Sequence, residues 1–145
     1  MSNLSRKDIL DTLQTGWGTY VQRFQKMSPA AQTAFLKQQG YARLADLLAH
    51  VVAWWEVGHH AIDNYLSNPA FVPPGYNVDS FNAEAVAGVS GVDEHTMIES
   101  FEKARISLIA YIRSLPDAAF ENEKVVNQFN MDVIGHLQEH ALLES

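Results

Sequence analysis

RLADLLAHVVAWWEVGHHAIDNYL, residues 43–66, sets Leu44, Leu47, Leu48, Val51, Trp54, Trp55, Ile62 and Leu66 at three- and four-residue spacings. That rhythm collects side chains on one side of an α-helix, and the run is too long and uninterrupted for a buried strand. The helix must end near Ser67-Asn68-Pro69, because proline disfavours helical geometry at the residue before it. A helix with so broad an apolar side needs other helices to cover it.

The flanking sequence supplies them. A first helical segment is expected from about Asn3 to Met27, with Ser5 and Asp8 spaced as a capping pair and Ile9, Leu13, Tyr20 and Phe24 on its apolar side. Gly16 and Gly18 weaken its middle. Ser28-Pro29 reads as an N-cap followed by proline in the first turn, which predicts a short helix over 29–38 before Gly40.

Beyond the central segment, residues 67–92 form a long connection in which Pro73-Pro74-Gly75 forces a turn, with a short helix around Phe81 to Ala87. Such a length lets the chain cross from one end of a bundle to the other or cover a pocket. A third long helix starts near Ser90 or Asp93 and stops before Pro116, with Met97, Phe101, Ala104, Leu108, Tyr111, Ile112 and Leu115 on its apolar side. The last begins between Glu123 and Asn130 and reaches Leu143, with Phe129, Val133, Leu137 and Ala141 as its stripe. No sustained two-residue alternation suggests a strand. The expectation is an all-α fold, a four-helix bundle forming a single domain over residues 1–145.

Composition narrows the function classes. The 145 residues are 47% hydrophobic and 19% charged, a globular balance. A formal charge of −7 argues against nucleic acid or an acidic membrane surface as the main partner. The absence of cysteine removes disulfides, thiolate metal sites and a cysteine nucleophile. No window approaches the apolar length that spans a bilayer, and the N-terminus lacks the apolar stretch of a secretion signal, so a cytoplasmic protein is expected.

Histidines carry the chemistry. At 100° per residue, Trp54, Val57 and Ala61 all fall within about 40° of His50, which therefore points with the apolar side. Desolvation there favours the neutral imidazole, the form with a lone pair for a metal. His136 and His140 are one helical turn apart and project on one side of the last helix, flanked by Val133 and Leu137. If the two helices meet, His50, His136 and His140 can ligate one divalent ion, Zn²⁺ or Ni²⁺. Three inward imidazoles without a common partner would otherwise leave several buried polar atoms to satisfy.

The remaining histidines fit this centre poorly. His59 is about 180° from His50 and expected on the surface, His60 is intermediate and could reach an adjacent helix, and His95 belongs to the surface. Glu56 is about 120° away, and Glu139 is expected to point elsewhere. Trp54 is expected in the core beside His50, with Trp55 in a second interhelical seam. Gly58 and Gly135 would permit close helix approach near the centre. Tyr76, Asn77 and Asn82 are candidate polar contacts from the crossover, and no residue is assigned a catalytic step.

LADLLAHVVAWW (44–55), followed by a terminal VIGHLQEHALLE (133–144), resembles the DinB-like superfamily of bacterial four-helix proteins. There a metal triad joins one histidine late in a second-helix motif to an H-x-x-x-H pair in the last helix, which His50, His136 and His140 match. VDSFN (78–82) before the third helix is similar to the ClbS/DfsB-type branch. The resemblance implies an up-down-down-up bundle and often a homodimer. It further implies a metal-dependent enzyme acting on small molecules, by transfer of a low-molecular-weight thiol or by hydrolytic detoxification. A non-catalytic small-molecule-binding or stress-response protein, and a structural dimer whose histidines hydrogen-bond, are the alternatives.

Overall fold

The computed structural model describes residues 5–142, so the helix start expected at Asn3 and the end expected at Leu143 lie outside the described residues. Every regular element among those residues is helical. The α-helices are α1 Arg6–Asp11, α2 Tyr20–Lys26, α3 Pro29–Gln39, α4 Leu44–Ser67, α5 Val78–Ala87, α6 Glu94–Ser114, α7 Glu123–Phe129 and α8 His136–Glu139. Between them lie π-helical turns at Thr12–Gly16 and Asn130–Gly135 and a 3₁₀ turn at Asp117–Glu121. No helix among the described residues is long and apolar enough to cross a membrane.

Local capping follows the sequence. The Ser5 hydroxyl and the Asp8 carboxylate form a reciprocal capping box at α1, Ser28 caps α3 with Pro29 in its first turn, and Asp93 caps α6. Helix α3 stops at Gly40, whose φ of 84° is the left-handed geometry that glycine adopts without strain. The expected first and last helices are each broken by a π turn, so the chain has more helices than the four long and two short ones expected.

Helix α4 is the axis of the fold and packs against α5, α6 and α7. Its first two turns, Leu44 through Val51, are buried on every side, as suits a helix that is surrounded. On one flank Trp55 meets Trp17 edge-on at 5.5 Å and stacks on Phe101 of α6 at 5.4 Å. Met97, Phe101, Leu108, Ile109 and Ile112 form the buried side of α6.

Trp55 enters an interhelical seam as expected, whereas Trp54, expected in the core, is only half-buried. The phase of Trp54 with His50 is right, but that stripe faces the crossover and the last segment rather than the other helices. Trp54 packs on Phe81 at 4.1 Å, and its indole N–H donates to Asn82 Oδ1 at 2.7 Å, which seats α5 against α4. Arg43 fastens the far end of the crossover. It pairs with buried Asp46 at 2.8 Å and donates to the Val92 and Val89 carbonyls at 2.8 and 3.0 Å.

Candidate metal centre

Two helices bring His50, His136 and His140 together. His50 rides the buried half of α4, His136 opens α8, and His140 follows at its end. The π turn before α8 is held in place by aromatic donors. Trp55 Nε1 donates to the Asp132 carbonyl at 3.0 Å, Trp17 Nε1 to the Val133 carbonyl at 2.9 Å, and the Tyr20 hydroxyl to the His140 carbonyl at 2.6 Å. A π turn often marks a functional site, and here it aims two imidazoles at a third. Gly16 in the other π turn lets the chain approach α8, because a Cβ there would overlap Leu137 Cδ2.

The three rings are 2%, 7% and 8% exposed, so the charged form is strongly disfavoured. Burial pushes His50 down to about 4, with its hydrogen bond to the Leu47 carbonyl acting weakly against it. His136 falls to about 3 through burial first and then the neighbouring His50 and His140, while a bond to the Asp132 backbone opposes the shift. His140 falls to about 4 through burial and His50. At neutral pH all three are uncharged.

Their tautomers follow from their partners. His50 Nδ1 is 2.6 Å from the Leu47 carbonyl and His140 Nδ1 is 2.6 Å from Gln39 Oε1, so both nitrogens carry the proton and donate. Each Nε2 is then a bare lone pair. Yet His50 Nε2 is 3.0 Å from His140 Nε2 and 3.1 Å from His136 Nε2. Lone pairs facing one another repel unless a proton or a cation sits between them. Two nitrogens each about 2.1 Å from a shared ion stand about 3.0–3.4 Å apart for angles between right and tetrahedral, so the donor set fits a divalent metal. The three buried histidines could hold such an ion, and they are a group of His, Asp or Glu so disposed among the described residues.

The surroundings orient these ligands. Tyr41 stacks on His50 at 4.9 Å, and Trp17 meets His136 edge-on at 6.2 Å. Gln39, at the end of α3, fixes the His140 tautomer. Gln39→Leu is expected to weaken metal binding about 10–100-fold while leaving the fold intact, as removal of such supporting bonds does elsewhere. Competition against a chromophoric chelator would measure it, and unchanged affinity would mean that the Gln39 contact is incidental.

Asp132 is a site residue not expected from the sequence. It is buried in the π turn, accepts from Gln128 Nε2 at 2.9 Å, and is pushed up to about 7 by burial, with the Gln128 bond acting the other way. Asp132 stands four residues before His136, in phase with the histidine pair, a signal that the sequence offered and that was passed over. Gly58 of α4 packs directly on its carboxylate, which bears out the close approach expected there.

A cavity of about 440 Å³ opens in front of the triad and is lined by His50, His136 and His140 together with Asp132, Asn82 and Glu139. Asn82 thus stands where a crossover contact was expected. Asn77 instead caps α5, and Tyr76 packs edge-on against Trp54 at 5.7 Å. Glu139 is exposed yet lies at the cavity mouth, contrary to expectation. His59 is half-buried and stacks on Tyr111 at 3.8 Å, His60 is exposed, and His95 sits on the surface 2.9 Å from Glu99. None of these joins the centre. The chain matches no family model, no curated protein and no solved structure.

Proposed function

We propose that the chain is a metal-dependent enzyme acting on small molecules, with a DinB-like four-helix arrangement and an ion held by His50, His136 and His140. The observation that carries this reading is the convergence of three Nε2 atoms at 3.0 and 3.1 Å, with the other nitrogens of His50 and His140 already committed as donors. Three nitrogen ligands beside a cavity correspond to the catalytic kind of site, which keeps a position open, rather than the closed structural kind. A bound Zn²⁺ or Ni²⁺ would acidify a thiol or a water there and so supply a nucleophile at neutral pH.

The protein's own contribution is to keep that position dry and oriented. Burial holds the imidazoles neutral, Leu47 and Gln39 lock two of the rings, and Trp17 and Trp55 pin the turn that presents His136. The cavity in front of the triad admits a low-molecular-weight thiol or a hydrolysable substrate.

Elemental analysis of protein purified without an affinity tag, joined to a thiol-dependent conjugation screen on small electrophiles, tests the centre and the reaction together. One ion per chain is expected, with His136→Ala and His140→Ala each lowering its affinity at least about 100-fold and abolishing turnover. Failure to bind stoichiometric metal when Zn²⁺ and Ni²⁺ are supplied, or full affinity in both variants, would overturn the reading.

A further inference from the structure

A second cavity, of about 400 Å³, lies beside the first on the far side of Trp54. Its walls are Val57 and Ala61 of α4, Phe71 and Pro73 of the crossover, and Met131 of the π turn. Trp54, Gln128 and Met131 line both cavities, so the two meet across a shared lip. The reaction proposed at the triad needs only the first.

We propose that this second cavity is the subsite for the non-reacting body of the substrate, a neutral aromatic or alicyclic group of one or two rings whose attached reacting atom reaches the triad past Trp54. The inference rests on the enzymatic reading of the histidine centre and names the class of substrate it takes.

Four features of the cavity select that occupant. Its volume is in the range of small-molecule sites. None of its lining residues is Asp, Glu, Lys or Arg, so a charged body would be desolvated without a fixed counter-charge. The walls offer the faces and edges of Trp54 and Tyr76, and the Met131 side chain, surfaces suited to flat apolar rings. The side-chain polar groups are few and neutral: His60, Asn64, Gln128, the Tyr76 hydroxyl and the Trp54 indole N–H, which Asn82 already takes up. Gln128 already donates to Asp132 at 2.9 Å, which leaves its amide oxygen to accept from a ligand.

The wall is also built in advance. Residues 71–77 run without helix, Pro73-Pro74 restrict their backbone, and Trp54, Phe81 and Tyr76 brace one another at 4.1 to 5.7 Å. Little ordering entropy then remains to be lost on binding. Met131 and Tyr76 at the lip are 61% and 44% exposed, an apolar rim that gains by being covered.

The test uses N-phenyl-1-naphthylamine, a neutral ring compound whose emission rises in apolar surroundings. The wild-type protein is expected to bind one equivalent with a blue shift. Asn64→Trp, from the exposed rim, and Ala61→Phe, from the wall, should each weaken binding at least tenfold, with helicity and melting checked by circular dichroism. His136→Ala should keep the probe affinity within about twofold while losing metal. On the metal-loaded protein, 4-phenylimidazole should bind at least tenfold more tightly than imidazole, and Asn64→Trp should remove that advantage. Absence of probe binding, binding indifferent to both filling variants, or equal affinity for the two imidazoles would overturn the subsite. A protein that binds the naphthylamine as described but takes up no metal would instead overturn the enzymatic reading, so the two failures are distinct.

Discussion

Stripped of metal, the protein is expected to lose about 3 kcal/mol of stability as the pH falls from 6.5 to 5. Well above pH 6.5 the imidazoles of the triad are neutral in folded and unfolded chains alike, and pH does not act through them. Below 6.5 the unfolded chain takes up three protons that the folded chain refuses until about 3 or 4, so acid favours unfolding throughout that window. Asp132 opposes this. Its carboxyl keeps its proton up to about 7 in the fold but loses it near 3.8 when unfolded, so acidification across that interval favours the folded chain. Three protons against one approaches a net two at the lower end of the window, where the slope nears about 3 kcal/mol per pH unit. That slope is steep beside a total stability of about 5–15 kcal/mol.

Urea unfolding with a chelator present, repeated from pH 7.5 to 5, measures the slope. The metal-loaded protein should behave differently, because an ion competes with protons only near the depressed values of the folded rings. Its affinity should stay flat from pH 7 to about 5, whereas exposed histidines would begin to release metal near 6.5. A flat stability curve for the metal-free protein, or metal loss setting in at 6.5, would show that the triad is more hydrated than its burial indicates.

The parts of this molecule that could be read from sequence are those where one local rule operates without competition. Helix α4 and helix α6 have apolar rhythm over many turns, and Ser28, Asp93 and Gly40 are capping residues in the places the rules assign. His50 was legible because its neighbours share its phase. The last segment was harder, since periodicity assumes an unbroken 3.6-residue turn. The π turn at Asn130–Gly135 closes with extra residues and so rolls the stripe. Phe129 and Val133 before and within it are buried, but Leu137 is half-buried and Ala141 exposed, while Asp132, His136 and His140 turn inward. The i, i+4 spacing of the two histidines survives that roll, which is why the pair could be found although its stripe was misplaced. Gln39 and Tyr41 had no signal at all. They touch the centre only because the left-handed turn at Gly40 folds α3 back toward α4.

Gly58→Ala is expected to destabilise the protein by about 2 kcal/mol, the opposite sign from the gain of about 1 kcal/mol that alanine ordinarily brings inside a helix. A Cβ at this position would overlap Asp132 Oδ2 and come within 2.9 Å of its Cγ and 3.5 Å of Gln128 Nε2. Asp132 has little room to yield. Its carbonyl holds the Trp55 indole and its carboxyl holds the Gln128 amide, so rotation leaves a buried carboxyl without its donor. That loss alone is worth about 1–3 kcal/mol. The alternative is to push the π turn away from α4, which separates His136 from His50 and should lower metal affinity along with stability. Asp132→Ala in the same chain removes the overlap and lets the new methyl occupy the vacated space. The double variant should therefore be more stable than the sum of the two single changes by at least about 1 kcal/mol and should regain part of the metal affinity. Thermal melting reads the single change as a fall of about 4–8 °C. A rise in melting temperature for Gly58→Ala, or strictly additive single and double variants, would mean that α4 and the metal-bearing turn are not in contact through Asp132.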